Sequence, residues 1–438
     1  MDDPFTGGFD TGFDDATGFG FVRADAAVAS VISTSISGVA FHDFNGNGTM
    51  EGGESAVAGA TIFIDANNNG SLDGGELSAV TSGSGSYTIN GVTGGPYTLR
   101  EIAPSGFVST TINNVTVTGT PLTAVNFANI ATTYTGTGAS DVYRIRRKAA
   151  DTKFEILIGG VVTYTIPASV TAPLSFNLAG AADSFTIDAI NGSAIPGGGI
   201  TIDGGAGGDA LAMLGTAAAE SAIFNAGTIT FGGAIAYSSV ESVSFDGNGG
   251  KDIVSINSGT VAFTAPQVLQ SLSISPSAKV DLRDNSLVID YDGVSPIGSW
   301  GGTSYTGITG LIQSGRNGGT WNGSGIVTSD TRAINSNDLT TLAVAEASKV
   351  LDFSASPTAL FSGQTVDATS VLVKFTWGGD ANLDGKINVD DYGQIDFNAG
   401  SSGSVFGWFN GDFNFDGKIN VDDYGIIDFN VSAQTGVL

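Results

Sequence analysis

The feature that most constrains this chain is a twelve-residue segment that occurs twice near the C-terminus, over residues 380–391 and 412–423. Each copy has Asp, Asn and Asp at positions 1, 3 and 5, glycine at position 6 and Asp at position 12. A calcium ion with roughly six to eight oxygen ligands needs oxygen donors at these positions, a sharp turn at the glycine and a backbone carbonyl at position 7. The spacing therefore predicts two calcium loops.

The predicted ligands occupy equivalent positions in the two loops. In the first loop they are Asp380, Asn382, Asp384, Lys386 through its carbonyl oxygen, Asn388 directly or through water, and Asp391. In the second loop they are Asp412, Asn414, Asp416, Lys418, Asn420 and Asp423. Asp, Asn and Gly also mark ordinary turns, where they bond their own backbone. The unchanged recurrence of Lys-Ile-Asn-Val-Asp-Asp-Tyr-Gly in both copies argues against that alternative.

A short helix is predicted after each loop, because apolar or aromatic residues recur three positions apart on one helical face. These residues are Tyr392 and Ile395 after the first loop, and Tyr424 and Ile427 after the second. A calcium loop followed by one helix, twice, with no helix entering the first loop, resembles the dockerin module of bacterial secreted proteins. The resemblance covers residues 378–432 and implies docking onto a cohesin-like surface protein.

Positions 10 and 11 of the two loops depart from that family. Its cellulosomal members usually carry a Ser/Thr pair there, which helps to select the partner, whereas this chain has Val389-Asp390 and Val421-Asp422. Calcium binding is implied by the resemblance. A structural or intramolecular cap is the alternative to docking.

Two more segments with the same spacing lie near the N-terminus, over residues 43–54 and 65–76. Their predicted ligands are Asp43, Asn45, Asn47, Thr49, Glu51 and Glu54 in one loop, and Asp65, Asn67, Asn69, Ser71, Asp73 and Glu76 in the other. Strand-like residues 39–41 and 60–64 precede them, so we expect these loops to connect strands rather than helices. Together the four loops predict about four Ca²⁺ ions.

Residues 36–109 carry further motifs. Among them are Ile-Ser-Gly-Val-Ala-Phe-His-Asp from Ile36, Gly-Gly-Pro-Tyr-Thr-Leu from Gly94, and Pro-Ser-Gly-Phe from Pro104. This set is similar to the B-type domain of serine-aspartate-repeat surface adhesins. The resemblance implies a small calcium-binding β-sandwich over residues 31–131, in which calcium stiffens the long loops. His42, the single histidine, is interpreted as a packing residue because calcium prefers oxygen ligands.

Composition indicates where the protein works and which partners it lacks. The chain has 43 acidic and 16 basic residues, a formal charge of -27 and no cysteine. Such a charge repels nucleic acid and anionic lipid surfaces, so we expect no nucleic-acid binding. The uncharged stretch over residues 26–41 is short and contains several Ser and Thr residues, so we expect no membrane insertion. Without disulfides, calcium is the expected stabiliser of small extracellular domains. The expected location is extracellular or at the cell surface.

The central region, residues 132–335, is rich in glycine and in residues that favour strands. Small-residue turns precede strands at Asp141, Asp183, Asp209 and Asp252. Asp141 and Asp209 lie 68 positions apart and Asp183 and Asp252 lie 69 apart, and a unit of about 68 residues places Ser175-Phe176 in register with Ser244-Phe245. The repeat predicts a β-solenoid or an elongated β-sandwich, in which neighbouring units bury each other's apolar faces.

Three further segments complete a chain that is predicted to be mainly β. Residues 1–30 form an acidic arm rich in Gly and Phe. Residues 336–377 form a closing segment, with a helix over 339–351 entered at Asp338 and a strand over 371–377. Residues 378–438 form the small α-helical, dockerin-like pair of calcium loops.

The sequence offers little chemistry for catalysis: one histidine, no cysteine, and neither a nucleophile elbow nor a phosphate loop. We therefore expect a secreted, calcium-stabilised structural or adhesive protein rather than an enzyme. Its expected partners are other copies of itself, with assembly into filaments, or a cohesin-like protein.

Action on polysaccharide is the alternative function. A dockerin-bearing β-solenoid glycosidase or lyase is the enzymatic version of this alternative, because two carboxylates suffice for glycoside hydrolysis and the chain has 43 acids. A carbohydrate-binding protein is the non-catalytic version of this alternative. Trp300 and Trp321 either stack on sugars or cap a core.

Overall fold

The computed structural model describes residues 33–334 and 339–438, so the predicted acidic arm over residues 1–30 lies outside the described residues. The chain divides into two compact units, one that ends at Thr132 and one that runs from Thr133 to Leu438. The described residues contain thirty strands and five α-helices of at most eleven residues. The predicted mainly β fold class is confirmed.

The N-terminal unit is a β-sandwich. Its strands are β1 Thr34–His42, β2 Thr61–Ile64, β3 Ser78–Val80, β4 Ser86–Val92, β5 Gly95–Ile102, β6 Phe107–Ser109, β7 Asn113–Val117 and β8 Phe127–Ala131. They form two four-stranded sheets, in the orders β4-β1-β8-β6 and β3-β2-β5-β7. Residues from both sheets share one buried core, which includes Ile36, Ile62, Tyr87, Leu99 and Phe127. The alternation of buried and exposed residues along β4 shows how one face of each strand supplies this core.

The second unit begins with a long run of short strands. They are β9 Thr133–Thr135, β10 Val142–Arg147, β11 Phe154–Ile158, β12 Val161–Ile166, β13 Leu174–Asn177, β14 Ser184–Asp188, β15 Ile200–Asp203, β16 Ala210–Leu214, β17 Ser221–Asn225, β18 Thr228–Phe231, β19 Ala234–Ser238, β20 Ser242–Asp246, β21 Asp252–Ile256, β22 Thr260–Phe263, β23 Gln267–Ile274, β24 Lys279–Asp281, β25 Leu287–Asp290 and β26 Gly325–Val327.

The chain closes with mixed elements. They are α1 Gly307–Arg316, α2 Thr331–Ile334, β27 Thr340–Glu346, α3 Ala347–Val350, β28 Thr358–Phe361, β29 Gln364–Asp367, β30 Ser370–Trp377, α4 Val389–Ala399 and α5 Val421–Val431, with short 3₁₀ helices at Asn317–Gly319 and Trp408–Asn410. Helices α4 and α5 follow the two terminal loops, as the sequence predicts.

Two large sheets make the second unit a β-solenoid. One has the order β12-β11-β10-β14-β16-β20-β22-β24-β26 and the other β27-β30-β25-β23-β21-β17-β18-β19-β15-β13-β9. From β13 to β16 and again from β19 to β26 the chain alternates between the sheets, and strands β14, β16, β20, β22 and β24 pair in parallel with the next strand of their sheet. Aromatic side chains such as Phe176, Phe185 and Phe245 fill the space between the sheets. Parallel pairing of this kind favours the solenoid over the elongated sandwich.

The repeat register predicted from the sequence is wrong in one respect. Phe176 lies on β13 and Phe245 on β20, which belong to different sheets. Strands β10, β14, β16 and β20 begin at residues 142, 184, 210 and 242, so the turns of the solenoid differ in length. A fixed unit of 68 residues matches two turns between Asp141 and Asp209 but fails beyond them.

The aspartates that suggested the repeat form a ladder across the coils. The amide of Asp141 donates to Asp183 Oδ1 at 2.6 Å, and the amide of Asp183 donates to Asp209 Oδ1 at 2.8 Å. The amide of Asp209 donates in turn to Glu241 Oε2 at 2.6 Å. Asp252 belongs to a second ladder on the other sheet, where it accepts the amide of Glu220 at 2.8 Å. These acids therefore join one coil to the next.

The helix predicted over residues 339–351 is wrong. Thr340–Glu346 is strand β27, and only the single turn α3 is helical; the predicted cap Asp338 lies outside the described residues. Strand β27 pairs with β30 along its whole length, and all its residues except Glu346 are buried. Burial on both faces removes the alternation that marks a strand, and the segment then resembles a buried helix.

The closing strand predicted over residues 371–377 is confirmed as β30. Helix α1, in contrast, was not predicted. Its sequence Gly-Ile-Thr-Gly-Leu-Ile-Gln-Ser-Gly-Arg has three glycines, which disfavour a helix, but Ile308 and Ile312 are buried on one face. Packing of that face therefore decides the local structure.

Candidate metal sites

The first terminal loop wraps around its first and last carboxylates. Asp380 and Asp391 are fully buried, at 0% exposure. Asp380 accepts the amides of Asp384 at 3.1 Å and Gly385 at 2.8 Å, while Asp391 accepts the amides of Ala381 and Asn388 at 2.8 and 2.9 Å. Gly385 has a φ of +87°, which glycine adopts without strain. The predicted turn at position 6 is therefore present.

The second terminal loop repeats this arrangement. Asp412 and Asp423 are again at 0% exposure. Asp412 accepts the amides of Asp416 and Gly417, both at 3.0 Å, and Asp423 accepts those of Phe413 at 2.8 Å and Asn420 at 3.0 Å. The duplicated sequence therefore gives a duplicated structure.

The other predicted ligands of the terminal loops also engage the backbone. Asn382 and Asp384 accept the amides two residues on, both at 2.9 Å, and Asn414 and Asp416 do the same at 2.8 and 2.9 Å. Asn388 and Asn420 are the N-caps of α4 and α5, each in a capping box with the acid at position 12. Lys386 and Lys418 lie at position 7, where the backbone carbonyl is the predicted donor.

The N-terminal loops have the same local geometry as each other. The loop over 65–76 connects the antiparallel strands β2 and β3, and the loop over 43–54 follows β1, as predicted for loops between strands. Asp43 accepts the amides of Asn47 at 3.2 Å and Gly48 at 2.7 Å, and Asp65 accepts those of Asn69 at 3.0 Å and Gly70 at 2.9 Å. Thr49 and Ser71 occupy position 7.

Position 12 is also matched between the N-terminal loops. Glu54 accepts the amides of Phe44 and Glu51 at 3.2 and 2.9 Å, and Glu76 those of Ala66 and Asp73 at 2.8 and 2.9 Å. The side-chain Nδ2 atoms of Asn45 and Asn47 donate to the carboxylate of Glu51, both at 2.9 Å. Those of Asn67 and Asn69 donate to Asp73 at 2.8 and 2.7 Å.

The donor set of all four loops fits a hard cation. It consists of carboxylate, carboxamide and backbone oxygens. Burial raises the pKa of Asp380 and Asp423 to about 7, and that of Asp391 and Asp412 to about 6. A buried carboxylate is stabilised by a cation. No group of three or more His, Cys, Asp or Glu in the described part of the chain converges as a metal cluster, so calcium binding stays a prediction.

Contacts with the solenoid, which the sequence did not reveal, hold the terminal loops in place. Tyr305 Oη donates to Asp412 Oδ2 and accepts the amide of Gly407 at 2.8 Å. Gln313 of α1 donates to the carbonyl of Phe415 at 2.7 Å. Thr376 of β30 donates its hydroxyl to Asp380. The two loops are therefore built into the end of the solenoid unit.

Helices α4 and α5 are tied to each other and expose apolar side chains. Tyr392 Oη donates to Asp428 at 2.7 Å, and Tyr424 Oη donates to Asp396 at 2.6 Å. The exposed side chains are Val389 at 78%, Phe397 at 85%, Val421 at 78% and Phe429 at 60%. These four side chains occupy equivalent positions of the two helices.

A cavity of about 320 Å³ lies beside the terminal loops in the second unit. Its lining includes Trp300, Tyr305, Phe406, Phe409, Glu346 and Lys349. Trp300 packs edge-on against Tyr305, with ring centroids 4.9 Å apart, whereas Trp321 is buried at 4% exposure and belongs to the core. The cavity thus combines aromatic walls with one acid and one base.

Comparisons with known proteins do not assign the chain to a family. No family model and no curated protein matches the chain. The TIE protein of Bacillus anthracis is 17% identical over 27% of this chain and 19% of that chain, with a TM-score of 0.18. A minor pilin of Streptococcus agalactiae is 21% identical over 23% of this chain and 44% of that chain, also with a TM-score of 0.18. The chain therefore spans less than half of either protein, and similarity this low does not establish a shared fold.

None of the helices in the described part of the chain combines the length and the hydropathy needed to cross a membrane.

Proposed function

We propose that this protein is a secreted, calcium-stabilised structural or adhesive component of the bacterial cell surface or extracellular matrix. The attachment of the terminal loops to the end of the solenoid supports the proposal. The first carboxylates of these loops, Asp380 and Asp412, are fully buried and bonded to Thr376 and Tyr305. An ion in either loop would stabilise the whole unit, because its ligands and the solenoid share these contacts.

The distribution of acids in the solenoid supports a structural role over a catalytic one. Asp183, Asp209 and Asp252 are buried at 3% exposure or less, and their hydrogen bonds join neighbouring coils. A glycosidase needs two carboxylates that converge on one substrate bond. Among the described residues that line the cavity near Trp300, Glu346 is the only carboxylate.

Calorimetry with and without a chelator tests the calcium part of the proposal. Full-length protein in millimolar calcium is expected to melt at a lower temperature after excess chelator is added, in at least two steps, one for each loop-bearing unit. Magnesium at the same concentration serves as the control, since it dehydrates reluctantly and favours a tighter octahedral site. An unchanged melt in chelator would contradict the proposal.

The exposed apolar side chains of α4 and α5 are the proposed contact surface for other copies of the chain or for a cohesin-like protein. Replacing Phe397 and Phe429 by Ser should abolish assembly, measured by light scattering and electron microscopy in millimolar calcium. The matched control is Leu360→Ser, which also changes a strongly exposed apolar residue, at 72%. Equal loss of assembly in both variants, or no assembly by the unaltered chain, counts against this surface.

Carbohydrate binding in the cavity near Trp300 is the second candidate function. Its volume of about 320 Å³ and its aromatic walls suit a sugar ring. Binding of soluble oligosaccharides should then be lost in Phe409→Ala and retained in Phe397→Ala. Failure of a broad oligosaccharide panel to bind the unaltered protein would remove this candidate.

A further inference from the structure

The two N-terminal loops form a natural pair for comparison. Each has three acids, at positions 1, 9 and 12: Asp43, Glu51 and Glu54 in one loop, and Asp65, Asp73 and Glu76 in the other. Each has Asn at positions 3 and 5, and the hydrogen bonds described above are the same in both. Their own residues therefore predict similar affinities for a divalent cation.

A single neighbouring side chain distinguishes them. Arg100 lies on β5 opposite Phe63 of β2, two residues before the second loop begins. Its Nε donates to Asp65 Oδ2 at 2.5 Å and its Nη2 donates to Asn68 Oδ1 at 2.9 Å. The side chain of Asp65 is fully buried and that of Arg100 is 25% exposed. The guanidinium is thus held against the first ligand of the loop by the register of the sheet.

Among the described residues, the first loop has no equivalent of Arg100. The corresponding oxygen, Asp43 Oδ2, accepts the amide of Gly48 at 2.7 Å, as Asp65 Oδ2 accepts that of Gly70. No salt bridge within residues 33–334 and 339–438 joins a basic side chain to Asp43. Three negative charges would face an ion in the first loop, whereas one of the three in the second loop is already paired with Arg100.

We propose that Arg100 is a counter-charge that lowers the calcium affinity of the loop over residues 65–76 relative to the loop over 43–54. The inference rests on the proposed calcium binding. The guanidinium neutralises part of the charge of Asp65 and repels a divalent cation held on its other oxygen. At a separation of a few ångströms in a partly hydrated site, this repulsion corresponds to about a tenfold difference in Kd.

A graded response of the sandwich to calcium follows. The loop over 43–54 fills first as the ion concentration rises, and the loop over 65–76 fills at a concentration about tenfold higher. The two loops connect different strands, so each step stiffens a different part of the same unit.

Calorimetric titration of the full-length protein with calcium alone tests this inference. The Glu54→Gln and Glu76→Gln variants each remove one binding step and so assign the steps to loops. In Arg100→Met the step assigned to Glu76 should tighten by about tenfold, while the step assigned to Glu54 stays unchanged. Arg100→Lys, which keeps the charge, should leave both steps within about threefold of the unaltered protein.

Arg144→Met is the matched control, because it removes an arginine that pairs with Asp188 in the other unit. It should change neither step. Far-ultraviolet circular dichroism in chelator establishes that each variant folds, and Arg100→Gln replaces Arg100→Met if the latter does not.

Two results would overturn the inference in different ways. If Glu76→Gln removes a step but loss of Arg100 leaves that step unchanged or weaker, the counter-charge role is wrong and calcium binding stands. A weaker step would show that the bonds to Asp65 and Asn68 shape the loop for the ion. If Glu76→Gln removes no step, calcium binding by this loop and the role of Arg100 fail together.

Discussion

The terminal and N-terminal loops share one ligand spacing but differ in what surrounds it. In the terminal loops the first and last carboxylates are all at 0% exposure, and the first ones bond to Thr376 and Tyr305 of the solenoid. In the N-terminal loops Glu54 and Glu76 are partly exposed, and the acids at positions 9 and 12 bond within their own loop. The acids at positions 9 and 12 are therefore bonded locally in the N-terminal unit, whereas in the second unit the first carboxylate of each loop is bonded to the solenoid.

Removing the first ligand from both loops of one unit should give the largest difference in stability between the two units. Asp380→Asn with Asp412→Asn is expected to lower the unfolding free energy of the unit from Thr133 to Leu438 by about 5 kcal/mol, if each site was occupied at about a hundred times its Kd. Asp43→Asn with Asp65→Asn should leave that transition in place and lower only the one of the N-terminal unit. Calorimetry in millimolar calcium measures both, and equal shifts of one transition by the two variants would break the comparison.

Replacing the glycine at position 6 by alanine distinguishes the cost of backbone strain from the cost of disturbed packing around the loop. Gly385→Ala places a Cβ 2.3 Å from the carbonyl oxygen of Leu438 and 2.9 Å from Lys374 Nζ, whereas Gly48→Ala meets nothing within 4 Å. Both residues have positive φ, which costs about 1 kcal/mol for alanine. We expect a total loss of about 3 kcal/mol for Gly385→Ala and about 1 kcal/mol for Gly48→Ala, measured by denaturant unfolding in chelator. Equal losses would show that the terminal loop is not packed as described.

The hydroxyl of Tyr305 tests the contact between the second terminal loop and the rest of its unit. Tyr305→Phe leaves the amide of Gly407 without its hydrogen-bond partner and removes one of the two hydrogen bonds to Asp412 Oδ2, which still accepts the amide of Gly417. We therefore expect a loss of about 2 kcal/mol. Tyr392→Phe is the control, because its hydroxyl bonds an exposed carboxylate, that of Asp428, and should cost less than about 0.5 kcal/mol. Thermal melts in calcium compare the two, and a smaller effect for Tyr305 would remove its proposed role.

The sequence predicts the loops better than their surroundings. The turns and the glycine geometry were predicted from ligand spacing, which depends on twelve consecutive residues, and the helices after the terminal loops were predicted from the spacing of apolar residues that follow each loop. Tyr305 and Arg100 were not, because they lie 107 and 35 residues from the aspartates that they contact. Only the fold brings them together.

The solenoid shows a similar limit. The aspartate turns identify the coils, but unequal coil lengths hide which sheet each strand joins, and this placed Phe176 and Phe245 in a false register. Strand β27 was mistaken for a helix because neighbours cover both of its faces. In both cases the missing information is tertiary contact rather than local propensity.

Asp252 shows the effect of burial on the pKa of a carboxyl group outside the calcium loops. It is buried like the terminal ligands but belongs to a solenoid ladder. Burial, with Glu220 and Asp246 nearby, raises its pKa from 3.8 to about 7. Its Oδ1 accepts an amide, and its Oδ2 has no hydrogen-bond partner among the described residues. The folded protein therefore holds this proton at pH values where the unfolded chain releases it.

The sign of the pH dependence follows from that raised pKa. The protonated carboxyl contributes its full stability below about pH 4, and the contribution is lost as the pH rises to about 7. Asp252→Asn mimics the protonated form, so its unfolding free energy should be close to that of the unaltered chain near pH 4 and exceed it by about 4 kcal/mol at pH 8. Denaturant unfolding of both proteins in identical buffers cancels the titration of the loop acids, and a constant difference across this range would show that Asp252 is charged in the folded ladder.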